Sequence, residues 1–246
     1  SLVSLVRRKK VAIVTLTRQE KRNALSTALI KELHDVALAL HGDRSIHTVV
    51  LNGGDKFFSA GADLKDTLFS EEVSFEDKWE YTRIGGEMIS AWEKIPQITV
   101  AAIEGFAVGG GLTLALACDF RVAGRSAFLY VPEVDLGSNY GWNTVPRLVS
   151  HIGPSRTKRL IMMAERISVV EAAGWGLIDT IADDGHAIAE ASHMAEIIAQ
   201  KPRMATQITK RAVNAVANVL NEIGSHGDME QALACLAERA DNARRL

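Results

Sequence analysis

Between Ile98 and Cys118 the chain carries a single charged side chain, Glu104, and that stretch constrains the fold more than any other. It is long enough to prompt a membrane-spanning reading, but Glu104-Gly105 divides it into a short β-rich piece and a short helical one. A membrane span is rejected on that ground, and a buried strand feeding a buried helix is expected. The helix opens on Gly109-Gly110-Gly111 and continues through apolar turns to Cys118-Asp119. Glycine lets a backbone come close to a ligand, and the first amides of a helix are unpaired and partly positive. Two readings follow: the element holds an oxyanion, or the glycines permit tight packing of a core helix. A dinucleotide site matches poorly, because the glycines are contiguous and no acidic residue ends a strand about twenty residues on.

A chain of 246 residues can bury roughly 70–75% of its unfolded surface, so one large α/β domain, with or without a small appendage, is expected. Hydrophobic residues at 47% and charged residues at 24% exclude extended disorder. A net charge of −2 recruits no nucleic acid, and Arg7-Arg8-Lys9-Lys10 reads as a solvated strand entrance or, less simply, a phosphate contact. Cys118 and Cys235 have no metal-ligand spacing and the histidines stand singly, so no metal site is expected. Two thiols without a disulfide framework fit a reducing, cytoplasmic setting. The N-terminal residues lack the charged-then-apolar layout of a signal peptide.

Strand and helix patterns alternate along the chain. Residues 11–17 form a β-branched run, and residues 23–42 carry Leu25, Leu29, Leu33, Val36 and Leu40 at helical spacing. Residues 47–51 make a second strand, and the turn signal Asn52-Gly53-Gly54 opens a loop to Asp63. A strand over 98–103 precedes the glycine-rich helix, and strands over 120–123 and 127–131 follow. Ser168 with Glu171 forms a capping box for a short helix that ends near Gly174 and Gly176, ahead of a strand over 177–181. This alternation predicts sheets covered by helices. The character changes near 186: a helix over 186–200 breaks at Pro202, a second carries the stripe Met204, Ile208, Ala212, Ala215, Val219 and Ile223, and Asp228 with Gln231 caps a third. The division expected is a core over 1–185 and a helical region over 186–246.

Four motifs recur in a fixed order: Lys21-Arg-Asn-Ala-Leu25, Ser59-Ala-Gly-Ala-Asp-Leu-Lys65, Ile103-Glu-Gly-Phe-Ala-Val-Gly-Gly-Gly111 with Cys118-Asp119, and Val131-Pro-Glu133-Val-Asp-Leu-Gly137. In these the chain resembles the enoyl-CoA hydratase/isomerase, or crotonase, superfamily over nearly its whole length. The resemblance implies an α/β fold of stacked ββα turns, a helical C-terminal trimerisation region, a homotrimer or homohexamer, and an acyl-CoA thioester as substrate. CoA then enters with the substrate and no separate cofactor is implied, nor any nucleic-acid or membrane partner. It also implies that the main-chain N–H groups of Ala62 and Gly110 form the oxyanion hole for the thioester carbonyl. Arg22, Lys56 and Lys65 would sit near the CoA phosphates, with Asp63 and Leu64 in the same substrate-binding loop; Asp63 and Asp119 also read as structural carboxylates.

The resemblance departs at one decisive place. Hydratases of the family set two glutamates around the reacting carbons, whereas here the first position is Thr113 and only the second, Glu133, is a carboxylate. Adding water across a double bond is ordinarily divided between two such groups, but a 1,3-proton shift needs only one base. Glu133 as the single acid/base of an isomerase is the favoured expectation. A hydratase managing with one glutamate and a non-catalytic acyl-CoA-binding protein are the alternatives. Tyr140 and Trp142 replace a Pro-Gly-rich stretch and either narrow the acyl pocket or pack under a loop. Asp135 is a candidate for raising the proton affinity of Glu133 by like-charge repulsion, or a cap.

Overall fold

The computed structural model describes residues 1–64 and 73–219. Strands β1 (Val3–Arg8) and β2 (Val11–Leu16) form an antiparallel hairpin that turns at Lys9, whose φ of 54° lies in the left-handed region. The basic run is thus the exposed end of one strand and the turn into the next, not a strand entrance. Helix α1 (Thr27–Gly42) begins where Ser26 Oγ accepts from Leu29 N at 3.3 Å, and it buries Leu29, Leu33 and Leu40 as the spacing predicts. Strand β3 (Thr48–Asn52) is wholly buried, so its β-branched run serves both faces of the sheet.

Helix α2 (Phe75–Lys94), capped by Ser74, leads into β4 (Ile98–Ile103), which has the predicted bounds. Then come β5 (Phe106–Val108), α3 (Gly110–Leu116), β6 (Phe120–Gly124), β7 (Phe128–Tyr130) and α4 (Thr144–Met162). The supposed membrane span is therefore two strands and a buried helix. Among the described residues no helix is long and apolar enough to cross a membrane. Short β8 (Ile167–Ser168) precedes α5 (Val169–Trp175), where Ser168 Oγ accepts from Glu171 N and Gly176 closes the helix in left-handed conformation. The strand expected over 177–181 is β9 (Thr180–Ala182); Leu177 and Ile178 are spent on the core instead.

Two sheets result: six strands in the order β1-β2-β3-β4-β6-β9, parallel after the first pair, and three in the order β5-β7-β8. Successive turns of the chain give one strand to each, β4 then β5, β6 then β7, which is a coil of ββα units. The main core lies inside this coil, against α1, α2 and α3. Helix α6 (Ala187–Ala199) covers the other side of the large sheet. Its Ala187, Ala191, Ala195 and Ala199 meet Val50, Val100, Ala102 and Val122, and the buried Glu104 Oε1 accepts from Ala187 N at 2.8 Å. Pro202 then opens α7 (Arg203–Ala217), along which Met204, Ile208, Ala212 and Ala215 are exposed, as is Val219 just past its end. Ile223, Asp228, Gln231, Cys235 and the expected third helix lie outside the described residues, as does Lys65.

Candidate active site

Two distant segments are zipped together at the end of the small sheet. Phe58 N donates to Phe106 O and Val108 N donates to Ser59 O, both at 3.0 Å, so the loop over 58–63 runs beside β5. The buried Asn23 holds that loop from the other side, its Nδ2 donating to Gly53 O and Phe58 O at 2.9 Å each. Ser59 Oγ in turn donates to Asn23 O at 2.8 Å. Leu25 N donates to Gly61 O and Asp63 N to Leu25 O, which leaves the Ala62 amide facing away from Leu25. Gly110 is the first residue of α3, so its N–H has no acceptor within the helix. Gly61, at φ +83°, lies so near that an added Cβ would sit 3.3 Å from Gly110 N and 2.6 Å from Val108 O.

Ala62 and Gly110 line one cavity of about 60 Å³ together with Thr113, Glu133, Tyr140 and Trp142. Glu133 is its sole carboxylate among the described residues. The turn after β7 carries it over Gly109, where a Cβ would fall 2.5 Å from Glu133 Oε1; with φ at +48°, only glycine fits there. Glu133 Oε2 is shut from solvent with no hydrogen-bond partner among the described residues. Burial pushes this carboxyl up to about 7. Asp135 is exposed, lies 3.5 Å from Tyr130 Oη and contributes nothing to that shift, so desolvation, not like charge, tunes Glu133.

Hydroxyls occupy the side of the cavity that the sequence comparison leaves without an acid. Thr144 Oγ1 donates to Gly141 O at 2.6 Å, Thr113 Oγ1 donates to Gly109 O at 3.4 Å, and the two hydroxyl oxygens lie 2.8 Å apart. Tyr140 Oη donates to Gly109 O at 2.8 Å, beside Thr113. Burial, with the nearby Glu133, holds the Tyr140 phenol well above its ordinary value, so it stays a neutral donor. Both Tyr140 and Trp142 are buried and line the cavity. Of the three glycines, Gly110 lines the cavity, Gly109 lies against Glu133 and Gly111 packs on Ser59.

The flanking residues are placed as follows. Arg22 and Lys56 are exposed, joined through Ala60 N, which donates to Arg22 O, and the loop that Lys56 begins. Leu64 is exposed, and Asp63 forms an ion pair with Arg18 at 2.5 Å. Asp119 is structural: it accepts from Thr99 N at 2.8 Å and pairs with Lys210 Nζ at 2.8 Å. A larger hollow beside α7 contains Cys118 and His151, but burial raises the thiol to about 12 and lowers the imidazole to about 4, so neither is poised for neutral-pH chemistry. Sequence reasoning missed Tyr81, Thr82, Ser138 and Thr144, which complete or brace the cavity. Ser138 and Thr144 flank the Tyr140–Trp142 stretch and were within reach of the motif; Tyr81 and Thr82 come from a helix without a motif.

Comparison with known proteins agrees with this geometry. Residues 7–237 match the family profile described as enoyl-CoA hydratase/isomerase. A protein of Clostridium acetobutylicum named short-chain-enoyl-CoA hydratase is 31% identical over 237 residues, 96% of this chain and 87% of that one. A crotonyl-CoA hydratase of Syntrophomonas wolfei is 32% identical over 86% of this chain and 81% of its own. Among solved structures, an enoyl-CoA hydratase from Bacillus anthracis superposes with a TM-score of 0.85 at 31% identity, covering 97% of this chain and 92% of that one. An enoyl-CoA hydratase/isomerase from Mycobacterium paratuberculosis gives 0.89 at 25% identity, covering 96% and 93%. With the coil of ββα turns and a cavity at the predicted motifs, the chain belongs to the enoyl-CoA hydratase/isomerase family.

Proposed function

We propose that the protein binds an acyl-CoA thioester and moves a double bond within its acyl chain, using Glu133 as the one acid/base. The thioester oxygen lies between the Ala62 and Gly110 amides. Glu133, as carboxylate, takes a proton from C2 of a 3-enoyl chain; the carbonyl becomes an enolate, and the protonated carboxyl returns that proton to C4, leaving the 2-enoyl product. Fixed amides favour charge that develops only in the enolate, and one such donor is typically worth roughly 2.7–4 kcal/mol. The observation that carries this reading is that, among the described residues, the cavity has one carboxylate, tuned to about 7 and faced by hydroxyls rather than by a second acid.

CoA enters as part of the substrate, with Arg22, Lys56 and Lys65 suited to its phosphates as point charges. The exposed stripe on α7 supports a homo-oligomer, a trimer or a hexamer. A second reading, hydration by the same glutamate, is favoured by the names of relatives at 31% and 32% identity.

Incubating the protein separately with a 3-enoyl-CoA and a 2-enoyl-CoA, while following the conjugated thioester absorbance, separates the readings. A gain from the first is the expected result; loss from the second alone establishes hydration. If neither changes while an acyl-CoA raises the melting temperature, the protein is a binder and the catalytic reading is wrong. Glu133→Gln is expected to lower kcat at least a thousandfold while thioester affinity stays within a few fold.

A further inference from the structure

Trp142 stands between two spaces. On one side is the cavity of about 60 Å³ that holds Glu133 and Gly110; on the other is an open cleft of about 540 Å³ along α2, and Trp142 and Thr82 belong to the lining of both. The indole lies directly on Gly110, where a Cβ would fall 2.6 Å from its ring. An acyl chain leaving a carbonyl held at that amide therefore runs against the indole. For scale, an engineered apolar cavity of about 150 Å³ accepts benzene, so the inner space of about 60 Å³ takes only a short chain.

The chain accepts several costs to keep the indole there. Trp142 and Asn143 have φ values of 57° and 58°, two consecutive non-glycine residues in the left-handed region. Arg147 clamps both carbonyls, Nη1 donating to Trp142 O at 3.1 Å and to Asn143 O at 2.9 Å, and is itself gripped by Glu93 at 3.0 and 2.9 Å. On the facing helix, Gly85 sits in the interior of α2, where glycine is disfavoured. A Cβ at that position would come 2.1 Å from the indole. The Tyr81 ring closes the remaining side at 5.7 Å between centroids.

We propose that Trp142 is the wall that fixes acyl-chain length, so that the substrate class is a short-chain acyl-CoA, and that its removal joins the inner cavity to the outer cleft. This rests on the acyl-CoA reading above but not on the reaction assigned to it. The test therefore uses saturated thioesters, which carry no double bond: calorimetric titration of the full chain with butyryl-CoA and with decanoyl-CoA. The parent protein is expected to bind butyryl-CoA at least as tightly as decanoyl-CoA. Trp142→Ala is expected to shift the ratio of the two affinities at least tenfold toward decanoyl-CoA, and Trp142→Phe to fall between.

The proposal is overturned if the parent already gains affinity with each added methylene, roughly fourfold apiece for chain entering an apolar space. It is overturned equally if the ratio stays the same in Trp142→Ala or, should that variant not fold, in Trp142→Phe. Binding of neither thioester, with or without an indole at 142, sinks this inference and the acyl-CoA reading together. Discrimination by chain length in a protein that turns over no enoyl-CoA sinks the reaction and leaves the wall standing.

Discussion

Glu133 is held where an ionised side chain is least comfortable, and its energetic sign can be worked out. Its folded pKa of about 7 exceeds the ordinary 4.5 because burial disfavours the charge. Between those values the unfolded chain has released its proton while the native state retains it, so stability falls as pH rises from 4.5 through 7 and stays lower above. The loss is about 3 kcal/mol, and glutamine at this position does not incur it. Glu133→Gln is accordingly expected to melt higher than the parent at pH 8 and level with it near pH 4; parallel melting curves across that range would contradict the burial account. In the parent, turnover is expected to rise with pH through an inflexion near 7, because the base is the carboxylate. Glu133 was legible as a candidate from Val131-Pro-Glu133, but its tuning was not. Asp135, the neighbour in sequence, is the wrong cause, and the right one is enclosure by Tyr140, Trp142 and Gly109, which only folding assembles.

Among the elements, the loop over 53–63 is held at two carbonyls by one buried side chain. Asn23 supplies two buried hydrogen bonds and adopts φ +52°, which alanine tolerates poorly. Asn23→Ala is expected to lower stability by about 2–4 kcal/mol, read as a reduced urea midpoint, and to depress turnover because Ala62 rides on the same loop. Most strands were visible as apolar or β-branched runs, β4 to the residue, α1 through its apolar spacing and α5 through its serine cap. Helices α2 and α4 were not. Gly85-Gly86 interrupts the pattern of α2, where Gly85 makes room for the indole rather than serving the helix. In α4 a kink at Gly153, with φ 76° ahead of Pro154, splits one element into what reads as two fragments. Local propensity failed at the places where long-range packing set the residue.

At the scale of the whole molecule, Met204 and Ile208 on α7 and Val219 just past its end point outward, exposed by 57% to 61%. On the proposed homo-oligomer, Ile208→Glu is expected to reduce the particle mass seen by light scattering toward the 26.7 kDa of one chain, with the core still folded by circular dichroism; a parent already at that mass overturns the oligomer, and an unchanged larger mass places the contact elsewhere. The stripe itself was legible in the heptad-like spacing, whereas the packing of α6 on the far side of the large sheet was not, since a row of alanines announces no partner. Arg147 ties these scales together. The guanidinium that fastens α4 to Glu93 on α2 also grips the backbone on which Trp142 is mounted. Reshaping residues 140–143 to admit bulkier acyl groups therefore loosens the joint between two helices, and a lineage that broadens its diet must first find that joint another fastener.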